Sequence, residues 1–175
     1  DHLVNTLDVE IDEESIRLIA LRQPKAGDLR FITTAMKITT DIERMGDLAV
    51  DIAERAIELN DEPMLKPYID IPRMAEIARG MVRDSLDALV RGDTQLALDV
   101  INRDDEVDQL NLQVFNELLF FMIQDPHTVS RATRITYISK YLERIADHAT
   151  NIAEMVIYLV EGKIIRHMAP PAETA

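Results

Sequence analysis

Residues 42–59 read IERMGDLAVDIAERAIEL, and residues 142–159 read LERIADHATNIAEMVIYL. At an offset of 100, nine of these 18 positions are identical: Glu43/Glu143, Arg44/Arg144, Asp47/Asp147, Ala49/Ala149, Ile52/Ile152, Ala53/Ala153, Glu54/Glu154, Ile57/Ile157 and Leu59/Leu159. Upstream, Asp8-Val-Glu-Ile-Asp12 matches Asp104-Asp-Glu-Val-Asp108 at an offset of 96, so the turn between the matched segments is four residues longer in the second copy. Self-similarity at a fixed period marks a duplicated supersecondary unit.

Both copies are helical. Ala35, Thr39, Ile42, Gly46, Ala49, Ala53 and Ala56 recur in steps of four and three, as do Ile135, Ser139, Leu142, Ala146, Ala149, Ala153 and Val156. That is a heptad seam of mostly small side chains, which lets a neighbouring helix approach closely. Working outward, Leu3, Leu7, Ile11, Leu18 and Leu21 give a first helix over 3–22, stopped by Gln23-Pro24-Lys25-Ala26-Gly27. Asp28 is the expected N-cap of a helix running to about Leu59, and residues 60–72, with three prolines, read as a connector. Helices over about 73–91 and 94–124 follow, the latter capped by Asp93 or Thr94; Thr128 caps a fifth that Gly162 ends.

The expected class is all-α, a tandem repeat of three-helix bundles. Residues 1–60 form the first repeat, 61–72 the connector and 73–165 the second repeat, with 166–175 a disordered tail. The copies are unequal, three helices against two. Two helices leave an apolar face open, so the reading expects the first bundle to lack its leading helix.

Composition narrows the function. The chain has 175 residues with 19 Lys and Arg against 32 Asp and Glu, a net charge of −13 that repels nucleic-acid phosphates. With no cysteine, disulfides, thiolate zinc sites, iron–sulfur clusters and cysteine nucleophiles are excluded. Hydrophobic residues make up 47 %, enough for a core, yet charge breaks every apolar run before membrane-spanning length. The first residues carry no signal-peptide pattern, and the cytoplasm is the expected compartment. No phosphate-cradling glycine loop, nucleophile elbow or Ser-His-Asp arrangement appears, so an enzyme is not expected.

What remains is carboxylate chemistry. Each copy offers two acid pairs four residues apart, on one helix face: Asp8/Asp12 and Glu43/Asp47, then Asp104/Asp108 and Glu143/Asp147. With 32 acids in 175 residues, chance alone gives about six such pairs, so one pair means nothing and a solvated face is the ordinary explanation. Recurrence of both pairs in both copies is what carries weight. Two pairs on adjacent antiparallel helices would supply four hard oxygen donors, suited to divalent or trivalent Fe, Zn, Mn or Mg. Taking Ile42 as zero and about 100° per residue, Glu43 and Asp47 fall at about 100° and 140°, at the edge of the apolar face, so the site is expected at the bundle surface. A buried di-iron centre would need Glu-x-x-His motifs, but Gly46 and Ala146 stand three residues after Glu43 and Glu143.

Other residues count for less. His148 has Leu48 as its counterpart and reads as a packing or surface residue, while Arg44 and Arg144 read as partners in surface ion pairs. Asp51/Asn151 and Glu54/Glu154 are candidate outer ligands, and the eight methionines read as core filler.

At these residues the chain resembles a known family. Gln23-Pro-Lys-Ala-Gly-Asp-Leu-Arg-Phe31 with Thr40-Asp-Ile-Glu-Arg-Met-Gly-Asp-Leu-Ala-Val-Asp-Ile-Ala-Glu54 resembles the first repeat of the PhoU family of bacterial phosphate-transport regulators. Tyr141-Leu-Glu-Arg-Ile-Ala-Asp-His-Ala-Thr-Asn-Ile-Ala-Glu154 resembles the second. The resemblance implies two three-helix bundles whose Glu(Asp)-x-x-x-Asp motifs bind multinuclear metal clusters, roles that fall on Asp8, Asp12, Glu43, Asp47, Asp104, Asp108, Glu143 and Asp147. It further implies a negative regulator of phosphate uptake and of the phosphate-starvation response. Such a regulator links the subunits of a phosphate-specific ABC transporter to a membrane sensor histidine kinase, often as a homodimer, at the inner membrane through partners only. Leu48 and Asp51 depart from the His and Asn common in the family's first repeat. Two other readings remain, a carboxylate-bridged iron enzyme or store, and a docking module whose acids serve only solubility.

Overall fold

The structure, a computed structural model, describes residues 2–162. Five α-helices hold them: α1 (His2–Arg22), α2 (Ala26–Asn60), α3 (Asp70–Arg91), α4 (Thr94–Gln124) and α5 (Val129–Glu161), with a single 3₁₀ turn at Pro126–Thr128 before α5. There is no strand among the described residues, as the helical period throughout the sequence leads one to expect. The tail beyond Gly162 lies outside the described residues.

The helix ends follow local chemistry, with corrections. Asp28 is not the cap of α2: Lys25 occupies that position without a side-chain cap bond, and Asp28 sits in the first turn, where a carboxylate favours the helix dipole. Gln23, at φ +46°, makes the reversal ahead of Pro24. The third helix begins at Asp70, three residues before the expected 73, because Pro72 in a first turn costs no hydrogen bond. Asp93, rather than Thr94, caps α4, accepting from the amides of Gln95 (3.1 Å) and Leu96 (3.0 Å). Thr128 sits at the start of α5, but its hydroxyl turns back to donate to the carbonyls of Phe121 and Asp125. Gly92 ends α3 in the left-handed region at φ +62°, where a Cβ would be strained.

α3, α4 and α5 form one three-helix bundle around Met74, Met81, Val100, Val107, Val114, Leu118, Ile135 and Val156, each at most 1 % exposed. α2 runs antiparallel along α5 and joins the repeats through Ile38, Met45, Ile152 and Met155, against which Val82, Leu86 and Leu89 of α3 also pack. Among the described elements, α1 touches α2 alone. The connector is held by charge: Arg134 donates to Glu58 (2.9 Å) and Glu62 (2.5 Å), Arg131 to the Pro63 carbonyl (2.8 Å), and the buried Lys66 pairs with Glu117 of α4.

The duplication is visible as an asymmetry of burial. All seven seam residues of α5 are buried, whereas on α2 Ala49, Ala53 and Ala56 are exposed. α3 covers the seam in the second repeat, and no described helix takes its place in the first. Ile52 and Ile138, the repeat images of Ile152 and Ile38, instead line an open cleft of about 490 Å³ together with Ala56, Leu59 and Ile135.

Candidate metal centre

In the second repeat the helix pairing brings the predicted acids together. α4 and α5 are antiparallel, so one turn up α4 is one turn down α5: Asp104 faces Asp147, and Asp108 faces Glu143. Ser139 fixes this register by donating to Asn111 Oδ1 at 2.5 Å, one turn from both Glu143 and Asp108. Because the quartet lies at the edge of the apolar face, its carboxylates are partly desolvated while still reaching solvent.

That placement is electrostatically costly. Burial first, and then the charges of Asp147 and Asp108, push the Asp104 carboxyl up to about 6. Burial followed by Glu143 raises Asp108, and burial followed by Glu143 and Asp108 raises Asp147. Among the described residues, one ammonium answers these charges: Lys140 Nζ lies 2.5 Å from Glu143 Oε1. Three buried side-chain atoms lack a hydrogen-bond partner among the described residues, and all three are here: Asp104 Oδ1, Glu143 Oε2 and Thr150 Oγ1. The Thr150 hydroxyl lies beside Asp104 and, as a long hydrogen-bond donor outside close bonding geometry, favours its charged form.

Unpartnered buried oxygens are expensive, and hard oxygen donors left in this condition fit a hard cation. As placed, however, no three His, Asp or Glu side chains among the described residues converge on a single ligation point, and a cation held by all four would need the carboxylates to rotate inward. The expected surface position is thus partly corrected: Glu143 is 12 % exposed, while Asp108 and Asp147 are open to solvent. Alongside, a cleft of about 390 Å³ lined by Asp108, Glu143, Lys140, Asn111, Phe115 and Tyr137 gives access from outside.

The first quartet is less developed. α1 packs on α2 with Asp8, Asp12 and Glu43 half-buried and Asp47 exposed. No hydrogen bond or ion pair links these four side chains among the described residues, and none of their oxygens is among the buried unpartnered atoms.

His148 points away from the acids. Its Nδ1 lies 2.8 Å from Asp41 Oδ1 across the α2–α5 contact, with the two side chains 10 % and 12 % exposed, so it ties the repeats together. Neither Arg44 nor Arg144 joins a surface ion pair among the described residues; both are solvent-exposed beside the acids. Thr150 and Lys140 were missed by the sequence reading. Both were visible as differences between the copies, where their counterparts are Val50 and Thr40.

Comparison with known proteins identifies the scaffold. The chain matches the PhoU domain over residues 1–56 and 71–156. It is 49 % identical over 167 residues to the phosphate-specific transport system accessory protein PhoU homolog of Aquifex aeolicus, covering 95 % of this chain and 76 % of that protein. The Pseudomonas putida homolog of the same name is 43 % identical over 176 residues, covering 100 % and 69 %. The crystal structure of PhoU from Pseudomonas aeruginosa superposes with a TM-score of 0.90 at 41 % identity, covering 93 % of this chain and 78 % of that one. That of the phosphate transport system regulatory protein PhoU from Streptococcus pneumoniae gives 0.84 at 29 %, covering 94 % and 77 %. These relatives are named as accessory and regulatory proteins, not as enzymes. A duplicated helical unit with matching motifs in both copies, a matching domain and superposable crystal structures lead to one conclusion: the chain belongs to the PhoU family.

Proposed function

We propose that this chain is a metal-binding regulatory adaptor of a phosphate-specific transport system. The observation that supports the metal part is the second quartet: four carboxylates near enough to raise one another's affinity for protons, with Lys140 as the one ammonium paired with them among the described residues. A bound Fe, Mn, Zn or Mg ion would neutralise that charge and supply the missing partners, with Asp104, Asp108, Glu143 and Asp147 holding it. Asp8, Asp12, Glu43 and Asp47 would do the same in the first repeat, as mononuclear or multinuclear sites. The relatives' names support an accessory, regulatory role in phosphate transport, and the finer reading goes beyond them. The chain restrains phosphate uptake and the starvation response by docking on subunits of the ABC transporter and on a sensor histidine kinase, as a homodimer in the cytoplasm. No helix among the described residues is long and apolar enough to cross a membrane, so attachment there would run through partners.

The test pairs metal content with regulation. Purified chain carries metal, and the double variant Asp47→Asn, Asp147→Asn loses it and derepresses a phosphate-starvation reporter in phosphate-replete cells. Metal-free wild-type protein, together with a reporter indifferent to both substitutions, would refute the metal part. A reporter indifferent to deletion of the whole chain would refute the regulatory part.

A further inference from the structure

We infer, resting on the homodimer proposed above, that the outer face of α4 is the surface that joins two copies of this chain, each α4 packing on its partner's about a two-fold axis. α4 carries two apolar faces. Leu110, Val114 and Leu118 are buried in the bundle core. On the other side Leu112, Phe115, Leu119, Phe120 and Ile123 stand 40–74 % exposed, and no described helix covers them. Leu112, Phe115, Leu119 and Ile123 follow one another in steps of three and four, the spacing of a helix–helix seam. A helix apolar all round is ordinarily a buried one. Folding of this bundle accounts for the inner face alone.

Charge selects the occupant. Each copy carries −13, so two copies meet most readily where their carboxylates do not. Between Gln109 and Gln124 the one charged residue is Glu117. It lies about 140° round the helix from Leu112, and it is paired with the buried Lys66. Gln109, Gln113, Asn116 and Gln124 supply neutral polar groups beside the apolar stripe, able to bond across a contact without repulsion. The exposed apolar side chains of α1 offer no such face. Asp8, Glu10, Asp12, Glu13 and Glu14 stand among them, and two copies joined there would set like charges together. The area is also sufficient. Five large side chains exposed to this degree present ~600 Å² per copy. A pair therefore removes ~1,200 Å² from water, the lower end of stable interfaces, and the half-exposed Tyr137 beside Leu112 and Phe115 adds to it. A two-fold contact uses up both stripes and closes at the dimer.

Sedimentation velocity across about 1–100 µM chain tests this. Wild type is expected as a dimer of two 19.9 kDa chains. Phe115→Glu and Leu119→Glu each bury a charge at the contact and raise the dimer Kd by at least about 100-fold. Ile16→Glu on α1 and Val90→Glu on α3, at positions exposed elsewhere, leave Kd within about twofold. Should a stripe variant unfold by circular dichroism, cross-linking decides, because the chain has no cysteine of its own. Asn116→Cys is joined to its partner by a short bismaleimide, and Val90→Cys is not. A dimer indifferent to charge on the stripe, a dimer broken by Ile16→Glu, or cross-linking through Val90→Cys but not Asn116→Cys overturns the inference while leaving the homodimer standing. A wild-type chain that stays monomeric throughout overturns both, and leaves the stripe to a different protein.

Discussion

Replacing Asp104 with asparagine stabilises the metal-free chain at neutral pH and removes its capacity to be stabilised by metal. The magnitude follows from the position of the carboxyl. Its pKa rises from 3.8 to about 6, a difference of about two units, each worth about 1.36 kcal/mol. That sets a ceiling near ~3 kcal/mol. Because the group is only about half-buried, solvent screening brings the net effect to ~1–1.5 kcal/mol. For a chain of this size that corresponds to ~3–5 °C in Tm. The sign depends on pH. Above about pH 6 the carboxyl is ionised in both the folded and unfolded chain, and wild type bears the full cost of the buried charge. As pH falls from about 6 toward 4 the folded carboxyl takes up its proton first, so wild type regains stability and the advantage of asparagine fades. Thermal melts of both proteins in chelator at pH 4, 5, 6 and 7 measure this, and a repeat at pH 7 with Mn²⁺ should raise wild type more than the variant. A variant less stable than wild type at pH 7, or a gap that does not change with pH, would refute the reasoning.

Three further outcomes follow from the packing. Asp41→Ala leaves His148 without its partner at the α2–α5 contact and costs ~1–3 kcal/mol in urea unfolding, since the buried imidazole loses the carboxylate that lies 2.8 Å from its Nδ1. Glu117→Ala strands the buried Lys66 ammonium and costs ~2–4 kcal/mol, whereas Lys66→Met, which removes the charge itself, costs less; matched denaturation curves separate the two. Ala149→Leu overpacks the closed bundle and costs ~1–3 kcal/mol, while Ala49→Leu, at the repeat-equivalent exposed position, stays within ~0.5 kcal/mol.

The architecture was legible because a duplicated segment supplies its own control. Glu43-Arg44 and Glu143-Arg144 align without a gap, and the small-residue seams follow in register, so the number of helices came directly from periodicity, whereas the packing of α2 on α5 did not. The eight carboxylates were legible for the same reason: recurrence separates them from the background of acids. Their environments were not. Helical geometry assigns Glu143 and Asp147 an angle on α5, but how far a carboxylate is desolvated depends on how closely α4 approaches, a tertiary quantity set by residues such as Ser139 and Asn111. His148 illustrates the same limit. Its counterpart Leu48 showed that it was no repeated ligand, but its partner, Asp41, lies on a different helix 107 residues away. The capping error at Asp28 is local in origin, since Lys25 can begin the helix with no side-chain bond when the following turn is stabilised by tertiary packing.

The most direct measurement of the central claim is anomalous scattering from crystals of the chain grown or soaked with Mn²⁺. The account predicts density between α4 and α5, within coordination distance of Asp104, Asp108, Glu143 and Asp147, with the carboxylates converging on it. Strong anomalous peaks elsewhere with none between these helices, at Mn²⁺ concentrations that saturate binding in solution, would contradict it.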